Sequence, residues 1–445
     1  MPRNAEAQHQ QTQSLREQIQ QARKAARSLA RLTGADRNRV LLIAAEQIES
    51  REDEIVAANQ RDCAGIADAV AAGTVAQALA DRLRTKPSNI REMAVRIRDV
   101  ARLQDPLANV IATTELDDGL TLYKMPCPLG VIAVIFESRP DVVPQVGSLA
   151  IKSGNGLVLK GGSEARHTNR VLASIWRDAL SAHDSALAPA ICLIEERAEV
   201  LEILTMEREI DLVVPRGSTE FVRFVFQHSR IPVLGHGSGV CHIYVDATAD
   251  LNMAREITVD AKVQYPAACN SVEKVLVHEE VAESFLPQLV RSLQAADVEV
   301  RGCQHTKDCC SDLNITDASE EDWWTEYCDL KITIKVVAGL HEAIEHINHY
   351  GSRHTECIVS QDKQAAQLFM DEVDAASVFH NASTRFADGF RYGFGAELGI
   401  STSKLHARGP VGMEGMLTYK YKLHGSGQVV SDYAQGKHAF KHRHR

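Results

Sequence analysis

Six consecutive apolar residues, VIAVIF at 131–136, constrain this chain more than any other stretch. The run is far too short to cross a bilayer. It also has no polar face, so it reads as a strand covered on both sides, the kind found inside parallel sheets. The chain then alternates: a helix around 141–152, strand GLVLK, a helix from about 167 to 180, strand ICLI, a helix around 198–206, strand DLVV and a helix from 218. This βαβα succession predicts an α/β fold class with a doubly wound parallel sheet. Ligands of such sheets sit at the carboxyl ends of the strands.

The flanking sequence has other textures. Residues 1–12 are Gln-rich and polar and read as disordered. From 13 to about 104 the pattern is helical, with apolar residues at 15, 19, 22, 26 and 29 at the helical period, and with Ser88 offered as a cap after a proline. GLTLYKMPCPLG from 119 suggests a hairpin at about 114–130 interrupting this first domain, which is expected over 13–264. CHIYVD, a helical pattern over about 249–263, KVLVH, KITIKVV, ECIVS and ASVFHN give a second α/β series, expected as a domain over 265–398. Residues 399–430, with β-like TYKYKL, are expected to pair with the hairpin as a small oligomerisation element, and the basic tail 431–445 reads as disordered.

At 445 residues the chain exceeds one hydrophobic core, which stops growing at roughly 250 to 300 residues. A net charge of -10 argues against nucleic acid or an anionic membrane as partner. Ten cysteines are too few for a disulfide scaffold, and MPRNAEAQHQQTQ has no apolar h-region, so the expected setting is reducing and cytoplasmic.

Three strand ends carry chemistry. SGNGLVLKGGSEA puts Lys160 at a strand end before two glycines and Ser163, where a lysine can bond ribose hydroxyls or a 2'-phosphate. An ordinary strand-to-helix turn would use the same residues. In DLVVPRGSTEFV a helix opens at Gly217, Ser218 and Thr219; its free N–H groups suit a pyrophosphate, and Ser218 equally suits a routine N-cap. No GxGxxG follows any strand, which disfavours a typical Rossmann dehydrogenase. The third is YPAACNS, where small neighbours leave Cys269 room to react as a thiolate, although an isolated cysteine also serves as a small core residue.

PCPLGVIAVIFESRPDV, SGNGLVLKGGSEA, PRGSTEFV, QYPAACNSVEKVLVH, AIEHINHYGSRHTECI and NASTRFADGFRYGFGAELGISTSKLHARGPVG occur in this order and together resemble the gamma-glutamyl phosphate reductases, or glutamate-5-semialdehyde dehydrogenases, a branch of the aldehyde dehydrogenase superfamily. The resemblance implies an aldehyde dehydrogenase-like fold with two doubly wound parallel-sheet domains. It further implies NADPH-dependent reduction of L-glutamyl 5-phosphate to L-glutamate 5-semialdehyde plus phosphate, the second step of proline biosynthesis from glutamate, through a thioacyl intermediate on Cys269. A homo-oligomer and an upstream glutamate 5-kinase as partner belong to the same expectation. The rivals are a hydrolytic NAD(P)-dependent aldehyde dehydrogenase and a non-catalytic protein retaining the fold.

Several residues take roles only through this resemblance. Hydrolytic relatives carry a glutamate upstream of the cysteine that activates water; the matching stretch IPVLGHGSGVCHIYV has His236 near that place and no carboxylate between Ile231 and Val245, which suits a reductase. NAD-preferring relatives often carry a glutamate where this chain has Ser163, so NADP is favoured, with Glu164 next to it able to reverse the preference. Glu326 occupies roughly the place that holds the nicotinamide ribose; a solvated helix glutamate is the plainer alternative. The superfamily's oxyanion asparagine is replaced by Ser138, which leaves Asn270 and the Cys269 N–H as oxyanion donors. Arg139 and Arg385 are the candidates for the substrate's anionic groups. His354 reads as structural, and Cys303, His305, Cys309 and Cys310 lack the spacing of a zinc site, so no metal is expected.

Overall fold

The computed structural model describes residues 14–74, 77–196, 198–235 and 237–444. The segment expected to be disordered, 1–12, and His236 lie outside the described residues. The chain divides into two compact units, one running to Leu234 with returning pieces Gly395–Leu398 and Gly412 onward, the other Gly235–Phe394 with Gly399–Val411.

The first unit begins with helix Leu15–Leu29, started by a capping box between Ser14 and Glu17, and it buries Leu15, Ile19, Ala22, Ala26 and Leu29 as their spacing requires. Helix Pro87–Arg102 starts with proline at its first position and Lys86 as its N-cap, so Ser88 lies inside the helix and does not cap it. A hairpin follows, Ala112–Asp117 (β1) and Leu120–Pro128 (β2). Then come Val131–Phe136 (β3), Gly156–Gly161 (β4), Ile191–Ile194 (β5) and Leu212–Arg216 (β6), all parallel in the order β5-β4-β3-β6. One face, built from Val131, Ala133, Ile135, Val158 and Val213, packs against Ile19, Ala22 and Ala26 of the first helix and against Ile203 and Val225. The chain runs from β3 to β4 and β5 on one side and returns to β6 on the other, so the carboxyl ends of β3 and β6 flank the switch point where a ligand crevice forms.

The second unit carries seven parallel strands: Cys241–Val245 (β7), Val272–His278 (β8), Glu299–Gly302 (β9), Thr316–Asp317 (β10), Lys331–Val337 (β11), Thr355–Val359 (β12) and Ser377–His380 (β13), ordered β10-β9-β11-β8-β7-β12-β13. The division at Leu234 falls well before the expected 264, because β7 is bonded to β8 and β12 and takes the following helix, Leu251–Val263, with it. The expected 399–430 element is likewise split. Gly399–Ser401 (β14) and Gly409–Val411 (β15) pair with each other in the second unit, while Leu417–His424 (β16) lies along β2 in the first.

The described part of the tail, through residue 444, carries structure where disorder was expected. Val430–Ala434 is a helical turn and Arg443–His444 (β17) pairs with β1, giving a four-stranded sheet β16-β2-β1-β17. Tyr433 donates to Asp117 (3.1 Å), and the Lys441 ammonium lies 3.1 Å from the same carboxylate. One acidic residue of the hairpin thus gathers the basic end of the chain. No helix among the described residues is long and apolar enough to cross a membrane.

Candidate active site

In the first unit the carboxyl ends of β3, β4 and β6 gather Arg139, Lys160, Ser163, Gly217 and Ser218. Lys160 is 6% exposed, donates to the carbonyl of Gly161 at 2.6 Å, and has its ammonium pKa lowered chiefly by burial, with Glu164 acting in the opposite sense. Ser163 is exposed and opens a single 3-10 turn, Ser163–Ala165. The Ser218 hydroxyl accepts from Phe221 N–H at 3.3 Å, so the capping role is realised, and its own N–H donates to Glu137 Oε2 at 3.1 Å. A Cβ at Gly217 would come within 2.4 Å of that same oxygen. Glycine therefore leaves room for an anionic group against the helix start.

Ser138 sits at φ +47°, and both its N–H (2.6 Å) and its hydroxyl (2.7 Å) donate to Glu164 Oε1. Glu164 is consequently drawn across Gly162 to Ser138, the residue at the place of the superfamily's oxyanion asparagine, whose donors are thereby engaged. Arg139 is exposed on the rim and lies 3.7 Å from Asp141. Glu137, which the sequence did not single out, follows β3 immediately and accepts from the Ser218 N–H at the same rim. The donors at this rim already hold carboxylate oxygens, so their chemistry fits the anionic parts of a dinucleotide.

In the second unit the candidates cluster at the amino ends of the strands, opposite to the rule that fits the first sheet. Cys269 is half-buried on the loop that enters β8. Its carbonyl accepts from the Cys241 thiol at 3.2 Å, and a Cβ at Gly239 would lie 2.0 Å from that carbonyl oxygen. Cys241 is in turn 3.7 Å from Nδ1 of buried His354, which also meets the Thr355 hydroxyl at 2.9 Å, a structural setting for that histidine. Burial pushes the Cys241 thiol far above its ordinary pKa, and the nearby Glu356 carboxylate adds to the rise.

Arg385 and Cys269 belong to one cluster. Arg385 is 9% exposed, donates from Nε to Gln264 Oε1 at 2.9 Å, and places its guanidinium 5.9 Å over the Tyr265 ring. Burial and the neighbouring Arg391 lower its pKa, against which the charge of Cys269 acts. Asn270 differs from expectation: its side chain is buried, and Nδ2 donates to the Ala387 carbonyl at 2.8 Å, tying the Cys269 loop to the Arg385 turn. Gln264 and Asn270 thus bracket Cys269 against residues 385–387, and neither brace was recognised in the sequence. Glu326 is half-buried in the loop after helix Glu320–Trp324, not in a solvated helix.

Residues 3–307 match the aldehyde dehydrogenase family. The gamma-glutamyl phosphate reductase of Cyanothece sp. is 52% identical over 423 residues, 95% of each chain, and that of Pelotomaculum thermopropionicum is 52% identical over 408 residues, 92% of each. The crystal structure of gamma-glutamyl phosphate reductase from Thermotoga maritima superposes with a TM-score of 0.89 at 40% identity, covering 94% of this chain and all of that one.

Proposed function

Because the chain belongs to the aldehyde dehydrogenase family, in its gamma-glutamyl phosphate reductase branch, we propose that this oxidoreductase reduces L-glutamyl 5-phosphate to L-glutamate 5-semialdehyde with NADPH, releasing phosphate. The observation that carries the reading is the setting of Cys269: a half-buried thiol on a braced loop, with Arg385 in the same cluster. In this reading the Cys269 thiolate attacks the acyl carbon, the bond to the phosphate oxygen breaks, and Arg385 balances the charge of the departing phosphate. NADPH, when bound, supplies the hydride that converts the thioester to a thiohemiacetal. Collapse of the thiohemiacetal forms the aldehyde carbonyl and returns the sulfur as thiolate. With the Asn270 amide bonded to Ala387, the backbone N–H of Cys269 is the better placed oxyanion donor.

Lys160, Ser163, Gly217 and Ser218 are proposed to hold the cofactor, and Glu326 its nicotinamide ribose. A neutral Ser163 beside Lys160, with Glu164 turned to Ser138, supports NADP over NAD. Arg139, exposed on the rim, is the weaker substrate candidate, since an open arginine gives an anion less than a desolvated one. A homo-oligomer built through the β16 sheet, supply by a glutamate 5-kinase and a cytoplasmic setting complete the proposal. The test is NADPH consumption with freshly generated glutamyl phosphate. Cys269→Ser should abolish turnover in a folded protein, and equal rates would overturn the mechanism. The reverse reaction should require inorganic phosphate; turnover without it would favour the hydrolytic reading.

A further inference from the structure

A sheet covered on both faces should present apolar residues, yet one row across the second unit breaks that rule. Glu356 on β12 is in register with His242 on β7, His242 with Lys274 on β8, Lys274 with Thr333 on β11, and Thr333 with Arg301 on β9. The first four are fully buried. The row continues into the loop 325–329: Lys274 Nζ donates to the Thr325 carbonyl at 2.7 Å and lies 4.3 Å over the Tyr327 ring, whose hydroxyl donates to Asp322 at 2.7 Å.

The opposite face of β8 reaches the same loop. Glu273, which alternates with Lys274, accepts from Lys262 at 3.1 Å and from the Cys328 N–H at 3.4 Å, while Lys262 also donates to the Asp329 carbonyl at 3.1 Å. Cys328 is held at φ +53°, a backbone that an L-residue keeps only where its surroundings impose it. Burial pushes Lys274 down to about 7 and Glu273 up to about 7, so placing ionisable groups at these two positions carries a desolvation cost that an apolar pair would avoid.

We infer that Lys274 on one face of β8, and the Lys262–Glu273 pair on the other, form a two-sided clamp that positions the 325–329 loop and with it Glu326. These are positioning residues: none is argued to touch substrate, and they act through the carbonyls of Thr325 and Asp329 and the amide of Cys328. The functional consequence rests on the reading that Glu326 holds the nicotinamide ribose. Glu273 and Lys274 lie on β8 shortly after the loop that carries Cys269, so the proposed nucleophile stands before the strand and the fixings of the Glu326 loop just inside it.

The test compares the parent with Lys274→Met, Lys274→Arg and Glu326→Gln in the full chain. Hydrogen exchange at the 325–329 amides should quicken about 10-fold or more in Lys274→Met, the scale of one lost charged hydrogen bond, and Lys274→Arg should restore most of the protection. The KM for NADPH should rise with it while kcat moves little. Unchanged exchange in the loop, or loosening spread evenly over β7 and β8, would overturn the clamp. If the loop loosens but Glu326→Gln leaves the KM for NADPH at the parent value, the ribose reading fails and the clamp stands.

Discussion

Gly239 sets the sharpest constraint on Cys269, the proposed nucleophile. Its φ is not in the left-handed region, so alanine meets no backbone objection there; the obstacle is space alone. A Cβ would lie 2.0 Å from the Cys269 carbonyl oxygen, 2.7 Å from the carbonyl carbon and 2.9 Å from its Cα, all backbone atoms. Even partial relief of the 2.0 Å approach demands a separation of about 1 Å or more between the Gly239 strand entry and the Cys269 loop, in an interior packed as densely as an organic crystal. Displacing a reacting atom by about 1 Å costs on the order of 100-fold in rate, or about 2.7 kcal/mol of barrier. Overpacking of this kind costs about 1–3 kcal/mol of stability, which a chain of this size can absorb. Gly239→Ala should therefore remain folded by circular dichroism and denaturant titration while kcat/KM for NADPH-dependent reduction of glutamyl phosphate falls about 100-fold. A folded variant with parental kcat/KM would refute the claim that this close approach positions the sulfur.

Two other outcomes follow from the same unit. Removing the buried guanidinium in Arg385→Gln should raise the KM for inorganic phosphate in the reverse reaction by roughly 10- to 100-fold, the scale of a lost charge-assisted hydrogen bond, and steady-state kinetics would measure it. His346 is buried against Trp323 and Tyr350, and burial, with the charge of His242, lowers its pKa from 6.5 to about 2. The unfolded chain takes up this proton near pH 6.5 and the folded chain does not until about pH 2, so the stability contribution is complete above 6.5 and is lost as pH falls through that window. Denaturant midpoints measured from pH 7 to 4 should fall less steeply in His346→Gln than in the parent.

The sequence made the first sheet's parallel strands legible because burial on both sides leaves an apolar run such as VIAVIF, bounded by turns. The division between units was misplaced because CHIYV looks the same whichever sheet it joins; only its hydrogen bonds to β8 and β12 decide the matter. The tail was misread for a related reason: basic composition signals solvation unless a partner is known, and Asp117 lies far away in sequence. At the candidate site, Cys269 and Arg385 could be singled out from the motifs that carry the family resemblance, and the structure brings them into one cluster. Gln264, Gly239 and Glu137 were not, since each acts through a contact that only the folded chain creates. The burial of Asn270 was equally hidden: a carboxamide beside a nucleophile suggests a donor to substrate, and nothing in the local sequence announces the Ala387 carbonyl that takes it.

If the rim of the first sheet holds the cofactor as proposed, its two glutamates change how an incoming anion must compete. The amide protons of Ser138 and Ser218 are not waiting in water; each is already satisfied by a carboxylate from a distant part of the same chain, Glu164 for Ser138 and Glu137 for Ser218. A newcomer therefore exchanges places with a resident oxygen, and its affinity records only the difference between two similar attractions. Such a seat keeps its shape when vacated, because the departing guest is replaced by one that never leaves the molecule.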